Sequence, residues 1–195
     1  MKRLGILGGT FNPIHLGHLV IAQTALEKLS LDKVIFVPSN ITPLKNQKEI
    51  ISGRDRYAMV KLAVRDNPRF DCSDFEMRKR GPSYSIETIR YLRSLYPEDK
   101  LYFIIGSDNA AILHTWKGVG ELTKLVSFIA VYRASFPRKD SKLKVRWISM
   151  PRLDISASFL RKQARHGKSI RCFVPSLVAL YIEKRGLYRK NSDRH

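Results

Sequence analysis

Gly8-Gly9-Thr10-Phe11-Asn12-Pro13-Ile14-His15-Leu16-Gly17-His18 joins two segments of different periodicity, and the joint decides the fold. On its N-terminal side Leu4, Ile6 and Leu7 form a short apolar run with the length of a buried strand. On its C-terminal side Leu19, Val20, Ala22, Ala25, Leu26 and Leu29 recur at helical spacing, which predicts a helix over residues 16–29. A strand, a glycine turn and a helix N-terminus in that order aim open N–H groups and the positive end of a helix dipole at one point, where an anion binds. His15 and His18 stand at its entrance. Taken alone, the glycine pair also fits a tight turn without a ligand, because neither G-x-G-x-x-G nor G-x-x-x-x-G-K-[ST] is present. The histidines have no Glu between them and no Cys close by, so imidazoles that hydrogen-bond phosphoryl oxygens fit better than zinc ligands.

Outward from this joint the chain alternates strands and helices. A second strand is expected over residues 33–37, stopped by Pro38. The polar stretch 39–53, with Pro43, Lys45, Gln47 and Lys48, is long for a connection in an α/β unit and reads as a binding loop. Ser52 and Asp55 form a capping box for a helix over 54–64. A strand over 70–73 leads to a basic turn at 78–82, and a helix over 85–95 ends before Pro97. Residues 101–105 are continuously apolar, as in a central parallel strand covered on both faces. Gly106-Ser107-Asp108 follows at its C-terminal end, the place where open α/β sheets hold ligands. Strands are expected over 126–132 and 145–149, then a helix opened by Ile155-Ser156-Ala157-Ser158 and carrying Arg161, and a last helix over 176–184. The expected class is α/β: a Rossmann-like open parallel sheet with helices on both faces and a small C-terminal helical extension. One domain over 1–195 is expected, with about 150–195 as its helical part.

The 195 residues suffice to bury about 70% of the unfolded chain's surface. Hydrophobic content of 44% and charge content of 27% are ordinary, whereas a net charge of +19 draws polyanions and steers anionic substrates. No zinc finger, RNP-like aromatic strand or recognition helix is evident, so specific nucleic-acid binding is not expected. Gly8-Gly9, Asn12-Pro13 and the histidines interrupt any export signal after Met1-Lys2-Arg3, and the apolar run 126–132 is too short for a bilayer, so a cytoplasmic location without membrane contact is expected. Cys72 and Cys172 form no C-x-x-C and read as reduced thiols.

Residues 9–18 match the T/G-x-F-x-P-x-H-x-G-H element of one nucleotidyltransferase class. Together with GPSYSIETI from Gly81, FIIGSDN from Phe103, Trp116 followed by Glu121-Leu122, and ISASFLR from Ile155, this chain resembles the bacterial nicotinate mononucleotide adenylyltransferases over nearly its whole length. The resemblance implies adenylyl transfer from ATP to nicotinate mononucleotide, giving nicotinate adenine dinucleotide and pyrophosphate in NAD biosynthesis, with Mg²⁺ brought by ATP. It implies catalytic roles for His18, His15 and Arg161, and ATP contacts from Gly8, Gly9, Thr10, Phe11, His15, His18, Gly106, Asp108, Ser156, Ser158 and Arg161. The mononucleotide would meet Thr10, Lys45, Tyr84, Ser85 and Trp116, with Trp116 stacked on the pyridine ring and Tyr84-Ser85 at the nicotinate carboxylate. By pattern alone Asp108, Ser156 and Ser158 equally fit helix caps, and Trp116 a core residue. No metal held by the protein and no partner beyond the two small-molecule substrates is implied, and homo-oligomerisation is left open.

Departures from the family pattern spare every implied catalytic group. Leu44 stands where a histidine is common in the loop, Ala157-Ser158 replaces a serine-threonine pair, and Gly106-Ser107-Asp108 replaces G-A-D or G-T-D. Asn12 and His15 differ from the F-D-P-x-T-x-G-H of pantetheine-phosphate adenylyltransferases. The rival substrate is nicotinamide mononucleotide, which differs by one amide. A nucleotide-sensing protein on the same fold is a second alternative, since fold does not fix function; intact His15, His18 and Arg161 speak against it.

Overall fold

The computed structural model describes residues 1–41, 50–79, 81–133 and 141–189. Its strands are β1 (Arg3–Gly9), β2 (Lys33–Pro38), β3 (Phe70–Cys72), β4 (Lys100–Gly106), β5 (Ser127–Arg133) and β6 (Arg146–Met150). They form one parallel six-stranded sheet in the order β3-β2-β1-β4-β5-β6. Each of the six agrees with a strand expected from the sequence. The helices are α1 (Leu16–Lys28), α2 (Gly53–Val64), α3 (Phe75–Arg78), α4 (Ser85–Leu95), α5 (Ser107–Ile112), α6 (Val119–Leu125), α7 (Ala157–Arg165) and α8 (Ser176–Lys184), with a 3-10 turn at Leu113–Thr115.

Period-2 alternation sorts the strand side chains into two cores. Leu7, Val34, Phe36, Ile104, Ile129 and Val131 face a cluster shared with α1, α2, α7 and α8. Leu4, Ile6, Ile35, Val37, Phe103, Ile105 and Phe128 face the other cluster, with α4 and α6. Because both faces are covered, these strands read as unbroken apolar runs, and each fully buried Ile, Leu or Phe contributes roughly 1.5–3 kcal/mol of transfer free energy. The helices after residue 150 are therefore seated on the sheet: Leu160, Val178, Ala179 and Ile182 belong to the first core. At Gly5 the packing leaves no room for a side chain, since a Cβ there would lie 2.8 Å from Leu31 Cδ1 and 3.0 Å from Ile104 Cδ1.

The chain runs outward from β1 to β3 and then returns to place β4 on the other side of β1, so successive helices change faces. The C-terminal ends of β1 and β4 consequently splay apart into a crevice with no crossover above it, the topological switch point of a Rossmann-like sheet. Three short helices, α3, α5 and α6, were not legible beforehand. They span only four, six and seven residues, too short for an apolar period to repeat. No helix among the described residues is long and apolar enough to cross a membrane.

Candidate active site

A cavity of about 1070 Å³ occupies the switch point. The residues that follow β1 form its floor, and their conformation has identifiable local causes. Phe11 adopts a left-handed φ of 47° and tucks its ring into the core, edge-on to His18 at 5.0 Å and 5.9 Å from the Phe36 ring. That ring lies where a side chain on Gly9 would project: a Cβ at Gly9 would meet it at 3.0 Å. The Gly9 carbonyl accepts a hydrogen bond from the Ser39 N–H at 2.9 Å, tying the turn to the end of β2.

The two histidines open α1 with different tasks. His15 is its N-cap, 7% exposed, and its backbone N–H donates to Nδ1 of His18 at 3.2 Å. The rings stand 3.8 Å apart, tilted by 33°. With Nδ1 accepting, the neutral His18 ring carries its proton on Nε2 and has a donor to offer. His18 lines the cavity and His15 does not; His15 supports its neighbour from behind.

Long-range groups hold the turn from several sides. Arg161 of α7 donates from Nη1 to the Asn12 carbonyl at 3.0 Å, Leu16 N–H donates to the Phe173 carbonyl at 2.9 Å, and the Tyr188 hydroxyl donates to Asn12 Oδ1 at 2.9 Å. Arg56 of α2 is 1% exposed. Its guanidinium donates to the carbonyls of Thr10 and Asn40 at 2.8 Å each, of Ile51 at 3.1 Å, and of Ser39. Of the capping box expected for α2, the forward half is present: Ser52 is the N-cap and its Oγ accepts from Asp55 N–H at 3.1 Å, while the Asp55 carboxylate accepts from the Ser52 hydroxyl at 2.7 Å rather than from its backbone N–H.

Of the residues singled out from the sequence, the cavity brings together Gly8, Gly9, Thr10, Phe11, His18, Tyr84, Ser85, Gly106, Trp116, Ser158 and Arg161. Ser156 is the N-cap of α7, accepting from Phe159 N–H at 3.2 Å, and lies 3.2 Å from the Ser158 hydroxyl, which does reach the lining. Asp108 is exposed in the first turn of α5 behind the N-cap Gly106, so it is neither the cap nor part of the lining; Asn109 lines the cavity beside it. Lys45 lies outside the described residues. Trp116 combines both of its readings: it packs edge-on against Phe103 and Phe128 at 5.9 and 6.5 Å, and it also lines the cavity. Glu121, by contrast, turns to the surface in a bidentate pair with Arg90.

Several wall residues escaped the sequence reading, among them Asn12, Glu76, Thr88 and Lys117. Glu76 is 7% exposed; its Oε1 accepts from the Thr88 hydroxyl at 2.6 Å, and its Oε2 has no hydrogen-bond partner among the described residues. Lys117 Nζ lies 4.2 Å from the centre of the Tyr84 ring, bringing a cation to the aromatic part of the wall. Asn12 and Thr88 lie inside the quoted motifs and Lys117 beside Trp116, but only the tertiary packing turns them, with Glu76, toward the cavity. The basic turn is peripheral: Arg78 pairs with Asp74 at 3.0 Å and Lys79 with Glu87. Both cysteines are free, and burial, with Asp71 and Asp74 adding to it, pushes the Cys72 thiol up to about 12, far from any nucleophilic role.

The lining therefore combines backbone donors at a glycine turn, an imidazole donor, a helix N-terminus with a hydroxyl and a guanidinium, and an aromatic wall. This inventory suits a ligand carrying phosphates and a flat ring. Residues 6–163 match the family model of cytidylyltransferase-like proteins. A probable nicotinate-nucleotide adenylyltransferase of Shouchella clausii is 44% identical over 193 residues, covering 99% of this chain and 100% of the relative. One of Lactiplantibacillus plantarum is 43% identical over 190 residues, covering 97% and 90%. Among solved structures, the Plasmodium falciparum nicotinic acid mononucleotide adenylyltransferase complexed with NaAD superposes with a TM-score of 0.78 at 21% identity, covering 96% of this chain and 98% of that one, a likeness of fold. The close relatives and the matched family model together place this chain in the nicotinate-nucleotide adenylyltransferase family, within the cytidylyltransferase-like group.

Proposed function

We propose that this chain transfers the adenylyl group of ATP to nicotinate mononucleotide in the switch-point cavity. The observation that carries the reading is the convergence of the β1–α1 turn, His18, the N-terminus of α7 and Arg161 on one cavity whose lining also holds Tyr84 and Trp116. In the reaction a phosphate oxygen of the mononucleotide forms a bond to the α-phosphorus of ATP, and the bond from that phosphorus to the bridging oxygen breaks. The electron pair leaves with pyrophosphate. The attacking phosphate is already ionised near neutral pH, so the protein needs alignment and positive charge rather than a base or a covalent nucleophile.

We assign the roles from the lining and, for Asp108 and Lys45, from the resemblance alone. His18 donates from Nε2 to the phosphates as charge develops on them, and His15 holds the tautomer and the ring. Arg161, Ser158 and the open N–H groups of α7 take the rest of the triphosphate, with Ser156 securing the helix start. Gly8, Gly9, Thr10 and Phe11 bring backbone close to the reacting phosphates, Gly106 leaves space for the nucleotide, and Trp116 stacks on the pyridine ring while Tyr84 and Ser85 meet its carboxylate. Asp108 is assigned to the ribose rim and Lys45 to the mononucleotide phosphate. Mg²⁺ arrives on ATP as part of that substrate, and the reaction takes place in the cytoplasm.

Pyrophosphate release measured with ATP, Mg²⁺ and either mononucleotide tests the assignment. Nicotinate mononucleotide should exceed nicotinamide mononucleotide by at least ~10-fold in kcat/KM, because a site built around a carboxylate leaves an amide poorly matched. Long-range steering by the +19 charge acts on the phosphate common to both, so the preference should persist between about 50 mM and about 500 mM salt. Equal rates, or a preference for the amide, would overturn the substrate assignment.

A further inference from the structure

We propose that Lys117 is a specificity-determining residue, the cation that favours a carboxylate over a carboxamide at the pyridine end of the mononucleotide. The inference rests on the reading of the cavity as the transfer site. Backbone N–H groups cannot make this choice alone, because the carbonyl oxygen of an amide accepts a hydrogen bond as a carboxylate oxygen does. What sets the acid apart is its full negative charge, so a nearby cation tells the two apart. Among the described residues, the Lys and Arg side chains of the lining are Lys117 and Arg161. Arg161 comes from α7 and is engaged with the Asn12 carbonyl at 3.0 Å, whereas Lys117 belongs to the aromatic part of the wall.

The fold fixes that placement. Residues 116–119 make a tight turn, in which Val119 N–H donates to the Trp116 carbonyl at 3.1 Å and Gly118 takes a left-handed φ of 70°. A Cβ on Gly118 would lie 3.1 Å from Ile86 Cγ1, so the turn is pressed against the start of α4. Its Lys117 thereby reaches the residue that caps this helix, with Nζ 4.2 Å from the centre of the Tyr84 ring. An aromatic face holds an ammonium through its quadrupole and leaves the net charge in place. Lys79, 5.8 Å from the same ring, differs: it is paired with Glu87 and donates to the Pro82 carbonyl at 2.7 Å. Lys117 has no carboxylate partner among the described residues. Glu76, the acidic residue of the described lining, faces the charge of Arg56, whose pKa burial lowers and Tyr188 and Glu76 raise. An uncompensated ammonium therefore stands on Tyr84, beside Trp116, where the substituted pyridine ring is assigned.

Pyrophosphate release by the wild type is measured first with ATP and each mononucleotide. No turnover with either refutes the functional reading, no preference for nicotinate mononucleotide refutes the substrate assignment, and this inference falls with either. With the preference established, Lys117→Met removes the charge and keeps a long apolar chain on the Tyr84 ring. It should lower kcat/KM for nicotinate mononucleotide about fivefold more than for nicotinamide mononucleotide, the modest size expected of an ion pair at an exposed lysine. The loss should lie in the mononucleotide KM, with the ATP KM within about twofold of the wild type. Lys117→Arg should retain most of the preference, and Lys117→Glu should reduce it further than K117M does. Circular dichroism checks the fold; if K117M does not fold, the ratio in K117R against K117E decides in its place. Equal losses on both mononucleotides would show that the lysine only props Tyr84. That result, or an unchanged ratio in K117M and K117E beside a wild type that prefers nicotinate, overturns this inference and leaves the functional reading standing.

Discussion

Replacing Arg56 with methionine keeps a long side chain in the interior and removes the guanidinium that bridges the two loops at the cavity. Four backbone carbonyls lose the guanidinium as a donor: Thr10 after β1, Ser39 and Asn40 after β2, and Ile51 before α2. Hydrogen bonds to a charged donor contribute roughly 1.5–3 kcal/mol each, but the guanidinium is 1% exposed and its own desolvation offsets much of their sum. That desolvation is the main cause that pushes its pKa down from its ordinary value, with Tyr188 and Glu76 acting in the opposite direction. Each carbonyl left dry costs roughly 1–3 kcal/mol, and the guanidinium's own desolvation, no longer required, returns part of that sum, for a net loss of about 3–5 kcal/mol. At roughly 2–4 °C per kcal/mol for a chain of this size, R56M should melt about 6–20 °C below the wild type by scanning calorimetry without ligands. Arg56→Lys, which retains the charge but cannot span four acceptors, should fall between the two. A melting temperature of R56M within about 2 °C of the wild type would mean that the carbonyls find other partners, and the account of Arg56 as a brace would fail.

Three further outcomes follow from the same geometry. His18→Ala should fold normally and lose on the order of a hundredfold in kcat, about 3 kcal/mol of transition-state stabilisation, and near wild-type turnover would remove His18 from the reaction. Trp116→Ala should raise the mononucleotide KM much more than the ATP KM; equal changes in both would leave the residue as a packing element only. Burial raises the Asp55 pKa, but the hydrogen bonds from Ser52 and Tyr181 and the Arg185 charge together outweigh it and hold the carboxyl below its ordinary value. Its contribution to stability is therefore present above the usual carboxylate pKa of about 4 and is lost as pH falls through the depressed value. Urea midpoints between about pH 5 and about pH 3 should drop more steeply for the wild type than for Asp55→Asn, and parallel slopes would refute this linkage.

The sheet was legible because its determinants are local. Apolar runs marked β1, β2, β4, β5 and β6, the short β3 was marked only by Phe70 and Cys72 alternating about Asp71, and Pro97 and Ser52 marked where helices stop and start. The glycine turn was legible for the same reason, since its strand, its turn and its helix are consecutive and each step constrains the next. The two histidines show where this stops. Both lie in one turn at the start of α1, and only the family resemblance separated them, giving His18 the phosphates and His15 a supporting role; that His18 lines the cavity while His15 is buried behind it depends on how α1 is set against the turn and on Phe173, which holds its first residue.

The arginines of α2 draw the same line more sharply. In Gly53-Arg54-Asp55-Arg56 the two basic residues look alike and would both be read as a solvated face. Arg54 is exposed, whereas Arg56 is among the most deeply buried side chains of the protein. The difference comes from the sheet order, which brings the ends of β1 and β2 side by side and leaves their outgoing carbonyls converging under α2. Glu76 with Thr88, and Tyr188 with Asn12, are likewise pairs that exist only after the chain has closed. Sequence by itself determined the strands, the helix-opening turn, the family motifs and so the class of chemistry, because backbone propensity and apolar periodicity act over a few residues. Tertiary structure alone decided which polar groups are buried, which face the cavity and which hold its walls, because the burial of a charge depends on acceptors supplied from distant segments and no local pattern encodes where those segments meet.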